Sequence, residues 1–157
     1  MAENKKIGEM LLGRGLITDM QLKSALEEQR RTKEFLGALL LRKRQIKPAD
    51  LMAVLSEIFK IPCMSMKNVY VNWNLIKTFS ASLVLDYKCI PVKKDENSIT
   101  VAIVNPSDVW ALKRAEEETG GFKLKLVLIP QDEADEVVRL YKQRIKGNII
   151  GGLGENK

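Results

Sequence analysis

The chain has no histidine, and this absence bears on every catalytic and metal-binding hypothesis. Histidine is the commonest metal ligand and the commonest general base near neutral pH. The two cysteines, Cys63 and Cys89, lie 26 positions apart without a CxxC spacing. That spacing favours reduced thiols over a disulfide, a redox pair or a metal site. We therefore expect no catalytic residues, no enzymatic activity and no bound metal.

Long apolar runs are also missing. The apolar runs near the start of the chain are short, as in Leu39-Leu40-Leu41, whereas a bilayer crossing needs about 20 apolar residues. Direct membrane insertion is therefore not expected. The opening sequence MAENKKIGEM lacks an apolar stretch followed by small residues, so it does not resemble a secretory signal. These features lead us to expect a cytoplasmic location.

Aromatic residues are scarce, at 6% of the chain, and the charge excess is modest, with 26 basic and 20 acidic residues. Nucleic-acid-binding surfaces usually combine stronger basic patches with aromatic residues, so no nucleic acid is expected as a partner. The excess suits an anionic small molecule, an acidic partner or simple solubility. The terminal GGLGENK does not match the phosphate loop GxxxxGK[ST], which argues against nucleotide hydrolysis.

An internal repeat is the most informative feature that is present. Residues 6–29 (KIGEMLLGRGLITDMQLKSALEEQ) and 35–58 (FLGALLLRKRQIKPADLMAVLSEI) align without gaps at a shift of 29 positions. The alignment pairs Gly8 with Gly37, Leu11 with Leu40, Leu12 with Leu41, Ile17 with Ile46, Leu22 with Leu51, and Leu26 with Leu55. The duplication predicts two helical hairpins stacked side by side, and it allows two equivalent half-sites for one ligand.

Local signals define the predicted hairpins. Gly15 is placed to end a first helix in the left-handed conformation, and Thr18 with Gln21 forms a capping box at the start of the second helix. In the second repeat Pro48 takes the first helical position. The fourth helix is expected to stop before Ile61-Pro62.

The pattern changes after Pro62 and predicts a small α/β unit. Together the two parts predict an α+β fold, an N-terminal four-helix repeat of two helical hairpins packed on a small α/β unit with a three-stranded sheet. We assign residues 1–60 to the helical repeat, 61–146 to the α/β unit and 147–157 to a flexible tail. The predicted elements are a short helix at 74–79, a β-hairpin of strands 88–93 and 99–104, a helix at 108–118 capped by Asn105-Pro106-Ser107, a strand at 122–129 and a final helix at 131–144.

Gly8 and Gly37 lie near helix starts, where glycine costs about 1 kcal/mol relative to alanine. One explanation is close packing against a neighbouring helix. The other is a planar ligand that lies on the exposed peptide. Both explanations stay open at the level of sequence.

The two units resemble the motif [RK][IL]GxxLLxxGxIxxxxLxxALxxQ in the N-terminal regulatory domain of type II secretion and type IV pilus assembly ATPases, called the MshEN or type II secretion protein E N-terminal domain. Residues 61–120, from IPCMSMKN to AEEETG, are similar to the second part of that domain, and the resemblance covers roughly residues 6–143. The ATPase part has no counterpart in this sequence, and we expect a stand-alone relative rather than an excised fragment.

In some members of that family the paired units bind cyclic di-GMP, one guanine per unit. Cyclic di-GMP is thus the one ligand that the resemblance implies. In the second unit, however, Phe35 stands where the basic residue belongs, Arg44 replaces the glycine and Ile58 replaces the glutamine. We therefore expect binding to be absent or weak. The implied ligand-binding residues are Lys6, Ile7, Gly8, Leu11, Leu12, Gly15, Leu22, Leu26 and Gln29, with Leu36, Gly37, Leu40, Leu41, Leu51 and Leu55.

In other members the domain docks the motor onto inner-membrane platform proteins. We accordingly predict a non-catalytic regulatory or docking module whose partners are secretion or pilus apparatus proteins, either the ATPase or the inner-membrane platform. The candidate docking residues are the basic run Arg42, Lys43 and Arg44 beside Ile46, because cations steer an acidic partner and an apolar residue anchors it. A cyclic di-GMP receptor is the alternative, and a solvated face without a partner also stays open.

Overall fold

The computed structural model describes residues 2–151, with side chains described for residues 5–147. None of the described helices is both long enough and apolar enough to cross a bilayer. The elements confirm the predicted α+β fold. In chain order they are α1 (Ala2–Gly13), α2 (Asp19–Thr32), α3 (Leu36–Arg42), α4 (Pro48–Phe59), α5 (Trp73–Ile76), α6 (Ala81–Leu85), β1 (Ile90–Lys94), β2 (Ser98–Ile103), α7 (Val109–Glu118), β3 (Lys123–Leu128) and α8 (Gln131–Gly151).

Each repeat forms a hairpin, α1 with α2 and α3 with α4, whose first helix ends in the same way. The N–H of Leu16 donates to the carbonyl of Leu11 at 2.9 Å, and the N–H of Gln45 donates to the carbonyl of Leu40 at 3.0 Å. A hydrogen bond between residues five positions apart, closed over a left-handed residue, is typical of a Schellman motif. The left-handed residue is Gly15 in the first hairpin, with φ of 70°, and a non-glycine in the second, Arg44 with φ of 58°.

The helix starts follow the sequence prediction. Thr18 caps α2, and the reciprocal bond from its own N–H to Gln21 Oε1 completes the capping box. Pro48 lies in the first turn of α4, which ends at Phe59 before Ile61-Pro62. Local sequence therefore determines the boundaries of both hairpins.

The sheet has the order β1-β2-β3. Strands β1 and β2 form the predicted antiparallel hairpin, with a register shift between Pro91 and Lys93. Helix α7 connects β2 to β3, which run parallel from Ser98 opposite Lys123 to Ile103 opposite Leu128. Strand β2 is central, and all of its residues except Thr100 are buried.

A single hydrophobic cluster runs through both parts of the chain, from Ile7 in α1 to Val137 in α8. The second hairpin provides the contact with the α/β unit. Its Leu51 and Leu55 surround a gap of only about 10 Å³ together with Leu128 and Ile129. The predicted boundary near residue 60 separates two parts of the sequence that share one hydrophobic core. The domain assignment stays a prediction.

Three features differ from the expected elements. Helix α6 was not expected, because five residues are too few for a helical period to be recognised. Its N-cap Ser80 donates its N–H and its hydroxyl to Glu118 of α7 at 2.6 and 2.9 Å. Asp108 rather than Asn105-Pro106-Ser107 caps α7, since its carboxylate accepts the N–H of Ala111.

The third difference is the length of α8. The helix continues to Gly151 rather than ending near residue 144, so residues 147–151 of the expected tail are helical. A single glycine costs only about 1 kcal/mol within an existing helix, and propagation is easier than nucleation. The remainder of the expected tail, residues 152–157, lies outside the described residues.

Candidate functional site

The two hairpins are related by an approximate two-fold axis. Helix α1 packs against α4, and α2 packs against α3. The repeat shift of 29 positions exchanges these two contacts, because it converts α1 into α3 and α2 into α4. The candidate ligand site, which the sequence places on both hairpins, is therefore a pair of equivalent half-sites.

The two repeat glycines occupy equivalent contacts inside their own hairpins. A Cβ built on Gly8 would lie 2.8 Å from Leu22 Cδ1, and one built on Gly37 would lie 2.7 Å from Leu51 Cδ2. Both distances are far below ordinary carbon contacts of about 3.5–4.0 Å. A leucine of the second helix thus sits directly on the glycine backbone, which supports the packing explanation for both glycines.

The half-sites differ in what lies beside the glycine. In the second hairpin the Phe35 ring lies over Gly37, and its Cε2 atom is 3.0 Å from the point that a Cβ on this glycine would occupy. In the first hairpin the equivalent residue is Lys6, which is exposed. The backbone at Gly37 is therefore covered by the chain's own aromatic ring, whereas no such ring accompanies Gly8.

Burial separates the remaining candidate ligand residues into two groups. The accessible group belongs mainly to the first hairpin, where Leu22, Leu26 and Gln29 are only partly buried. Their counterparts Leu51 and Leu55 are 5% and 2% exposed because the α/β unit covers them. Among the others, Ile7, Leu11, Leu36 and Leu40 are fully buried core residues, Leu12 and Leu41 are partly buried, and Gly15 is an exposed turn residue.

Ion pairs cross between the hairpins in a two-fold pattern. Arg14 of the first hairpin pairs with Glu57 of the second. The repeat shift converts this pair into Lys43 with Glu28, whose atoms are 3.0 Å apart. Arg42 also pairs with Glu28 at 2.8 Å. The hydrogen bonds from Arg42 and Lys43 lower the pKa of Glu28, so this carboxylate stays ionised.

These contacts correct the interpretation of the predicted docking run. Arg42, which also pairs with Glu34 at 2.8 Å, and Lys43 are held by carboxylates of the same chain. Ile46 is 8% exposed and belongs to the core, as the position equivalent to the buried Ile17 requires. Of the four predicted docking residues, Arg44 alone remains both exposed and outside the ion pairs between described residues.

Arg44 lines a groove with a volume of about 650 Å³. Lys47 lies with it on the hairpin side, and Asp132 and Asp135 of α8 lie on the opposite side. Gln45 Oε1 is buried at this groove without a hydrogen-bond partner among the described residues. The groove thus carries side chains of both charge signs.

Residues 5–147 contain no cluster of acidic or cysteine side chains that could hold a metal ion. Cys89 is buried, and burial, with smaller contributions from the charges of Asp108 and Glu118, raises the pKa of its thiol to about 12. Its thiol is therefore protonated near neutral pH and a poor nucleophile. Cys63 is exposed and unbonded to another cysteine.

Sequence reasoning missed the cross-hairpin ion pairs and the covering role of Phe35. A signal for the ion pairs was present, because the repeat alignment matches Glu28 with Glu57 and Arg14 with Lys43. No signal distinguished a Phe35 ring that covers Gly37 from one that points into solvent.

The chain is similar to a known domain family and to two curated proteins. The MshEN domain family matches residues 59–147, more than half of the chain. Type IV pilus assembly ATPase PilB of Myxococcus xanthus is 26% identical over 155 residues, which are 96% of this chain and 27% of that protein. PilB of Thermus thermophilus is 29% identical over 119 residues, 74% of this chain and 13% of that protein. The chain thus spans only a small part of either relative.

Two solved structures share the fold. The structure of MshE with cdg superposes with a TM-score of 0.69 at 17% identity, covering 86% of this chain and 97% of that one. The N-terminal domain of XpsE superposes with a TM-score of 0.71 at 20% identity, covering 86% of this chain and 92% of that one. Since the family match begins at residue 59, coverage of 86% of the chain also requires part of the hairpins.

Proposed function

This chain belongs to the MshEN domain family, and from that membership we propose that it is a non-catalytic regulatory and docking module of a type II secretion or type IV pilus type system. It acts in the cytoplasm by protein–protein contact. Its partners are apparatus proteins, either the ATPase or the inner-membrane platform. The sequence supports a non-catalytic role, because it has no histidine and no phosphate loop.

The observation that carries this proposal is the Phe35 ring over Gly37. A planar ligand that stacked on this backbone would have to displace the ring from its packing against the hydrophobic core. The second half-site also lacks polar groups, since Ile58 occupies the position equivalent to Gln29. One half of a two-fold ligand site is thus filled by the protein itself, which favours contact with proteins over binding of a symmetric nucleotide.

The docking surface that we propose is the groove beside Arg44. Charge reversal should be made at Arg44 alone, because reversal of Arg42 would also break its ion pairs with Glu28 and Glu34. Lys33 is a matched control, since it is also exposed and has a similar φ of 62°. We expect Arg44→Glu to weaken retention of the purified cognate ATPase or platform protein, and Lys33→Glu to leave retention unchanged. Equal retention by the two variants would exclude the groove as the docking site.

The alternative function is a cyclic di-GMP receptor, and the first hairpin favours it. Lys6 is exposed, and Leu22, Leu26 and Gln29 are partly accessible. The related fold of MshE was solved with cdg, that is, cyclic di-GMP. A receptor of this kind would use one intact half-site and one altered half-site.

Titration calorimetry with cyclic di-GMP separates the two functions. Removal of one polar interaction from a buried site costs about 1–3 kcal/mol, so removal of two weakens binding by roughly a hundredfold or more. We expect no binding or weak binding by the parent chain, and a gain for the double variant Phe35→Arg, Ile58→Gln. Phe35→Leu controls for removal of the ring alone. A sub-micromolar dissociation constant for the parent, abolished by Lys6→Ala, would establish the receptor instead.

A further inference from the structure

Two long stretches of the sequence contain no acidic residue. Residues 58–85 carry Lys60, Lys67 and Lys77, and residues 137–154 carry four further cations, without any Asp or Glu in either stretch. The whole chain contains 20 acidic residues among 157, so a stretch of 28 residues without any is markedly depleted in acidic residues. Where two such stretches meet in the fold, the only charged side chains that they contribute are basic.

The structure brings the two stretches together through aromatic side chains. Trp73 of α5 stacks on Tyr141 of α8, with ring centroids 6.5 Å apart and an interplanar angle of 15°. The Arg144 guanidinium lies over the Trp73 ring at 4.8 Å from its centroid. Two acidic groups nearer the start of α8 are engaged within the chain. Glu133 accepts from Ser65 and from the N–H of Met66. Glu136 is likewise paired with Arg139.

The segment before α5 adds an exposed aromatic tip to this surface. Its chain turns at Asn68, where φ is 62°. Tyr70 is 84% exposed and Val69 is 37% exposed at the tip, and Lys67 beside them is exposed as well. We call Lys67, Tyr70, Trp73, Lys77, Tyr141 and Arg144 the aromatic basic surface.

We propose that the aromatic basic surface binds the anionic head groups of a lipid bilayer. Tyr and Trp have an apolar body and a polar edge, and they are enriched at the boundary between water and membrane. Lysine and arginine residues near an anionic membrane surface are attracted to it. Contact of this kind is peripheral and agrees with the absence of a membrane-spanning helix among the described residues.

A bilayer fits these features better than an acidic protein does. Lys67 and Lys77 are exposed lysines, whose long flexible stems suit a fluid array of charges rather than one fixed carboxylate. Tyr70 projects without a pocket around it, as insertion among head groups requires. This surface also goes beyond the docking proposed above, because it lies on α5 and α8 rather than at the groove beside Arg44.

Vesicle sedimentation with the full chain tests the proposal. The probes are vesicles of phosphatidylcholine alone and of equimolar phosphatidylcholine and phosphatidylglycerol. We expect sedimentation with the anionic vesicles only. The variant Lys67→Gln, Lys77→Gln should partition roughly thirtyfold more weakly, as the loss of two surface cations implies. The control Lys23→Gln, Lys33→Gln removes the same charge from exposed positions of the first hairpin, and it should partition like the parent.

A second readout tests the aromatic part of the surface. In a Trp110→Phe background Trp73 is the only tryptophan, and its emission should shift to the blue on addition of anionic vesicles. Tyr70→Ser should weaken partitioning without a change in net charge. Equal losses for the two lysine pairs would reduce the effect to net charge and overturn the proposal. Binding to soluble polyglutamate as tight as to vesicles, unaffected by Tyr70→Ser, would overturn it in favour of an acidic protein.

Discussion

Replacement of Arg44 by glycine should stabilise the protein, although it shortens a side chain on the surface. Arg44 ends α3 with φ of 58°, a region in which a residue with a Cβ is disfavoured by about 1–2 kcal/mol. Glycine relieves that strain but loses about 0.5–1 kcal/mol through its greater freedom in the unfolded chain. The expected net gain is therefore about 0.5–1 kcal/mol. In a domain of this size 1 kcal/mol shifts the melting temperature by about 2–4 °C.

Urea unfolding of three variants isolates the backbone effect. Arg44→Ala removes the same long side chain but keeps the Cβ, so it should stay strained and gain little. Gly15→Ala places a Cβ at the equivalent position of the first hairpin, where φ is 70°, and the same balance predicts a net loss of about 0.5–1 kcal/mol. The reasoning fails if Arg44→Gly is no more stable than Arg44→Ala, because the left-handed conformation would then carry no strain.

Two further predictions concern packing and pH. Gly37→Leu should destabilise the fold by roughly 1–3 kcal/mol through overpacking against the buried Leu51, with a smaller loss for Gly8→Leu; a Gly37→Leu melting curve that matches the parent would contradict the packing explanation. Burial opposes ionisation of Glu118, but hydrogen bonds from Ser80 and Arg114, with the charge of Arg114, together outweigh it and lower the pKa below its ordinary 4.5. A lowered folded-state pKa contributes stability above the unfolded pKa and loses it as pH falls through the folded pKa. The stability gap between parent and Glu118→Gln should therefore narrow below pH 4.5, and a gap that is constant with pH would refute this assignment.

The parts of the fold that follow from the sequence are those that short-range chemistry determines. Thr18 and Gln21 cap each other within one turn, and Gly15 reverses the chain without a neighbour's help. The repeat shows the same apolar pattern twice. The prediction of a hairpin around Pro48, where the local signals are weaker, is therefore supported by its alignment with the first hairpin. Strands β1 and β2 are likewise joined by a short turn.

The parts that could not be predicted depend on contacts between distant residues. The alignment reveals that Phe35 replaces a basic residue, but only the fold determines that its ring covers Gly37. The charge of Arg42 suggests an exposed patch until Glu28 approaches it from the other hairpin at 2.8 Å. At Arg44 the glycine that favours a left-handed turn is replaced, and yet the fold keeps that turn. The sequence alone does not predict this.

The crossed ion pairs have a consequence for the history of the two hairpins. Arg14 with Glu57 and Lys43 with Glu28 are one contact made twice, which is the arrangement that two separate copies of a single hairpin would adopt in a symmetric dimer. In such a dimer every substitution occurs in both halves, so a site cannot be lost on one side alone. Joining the copies in one chain removes that constraint. Lys6 and Gln29 could then be kept in one half while Phe35 and Ile58 arose in the other, and an ancestral pair of identical surfaces could be divided between two tasks.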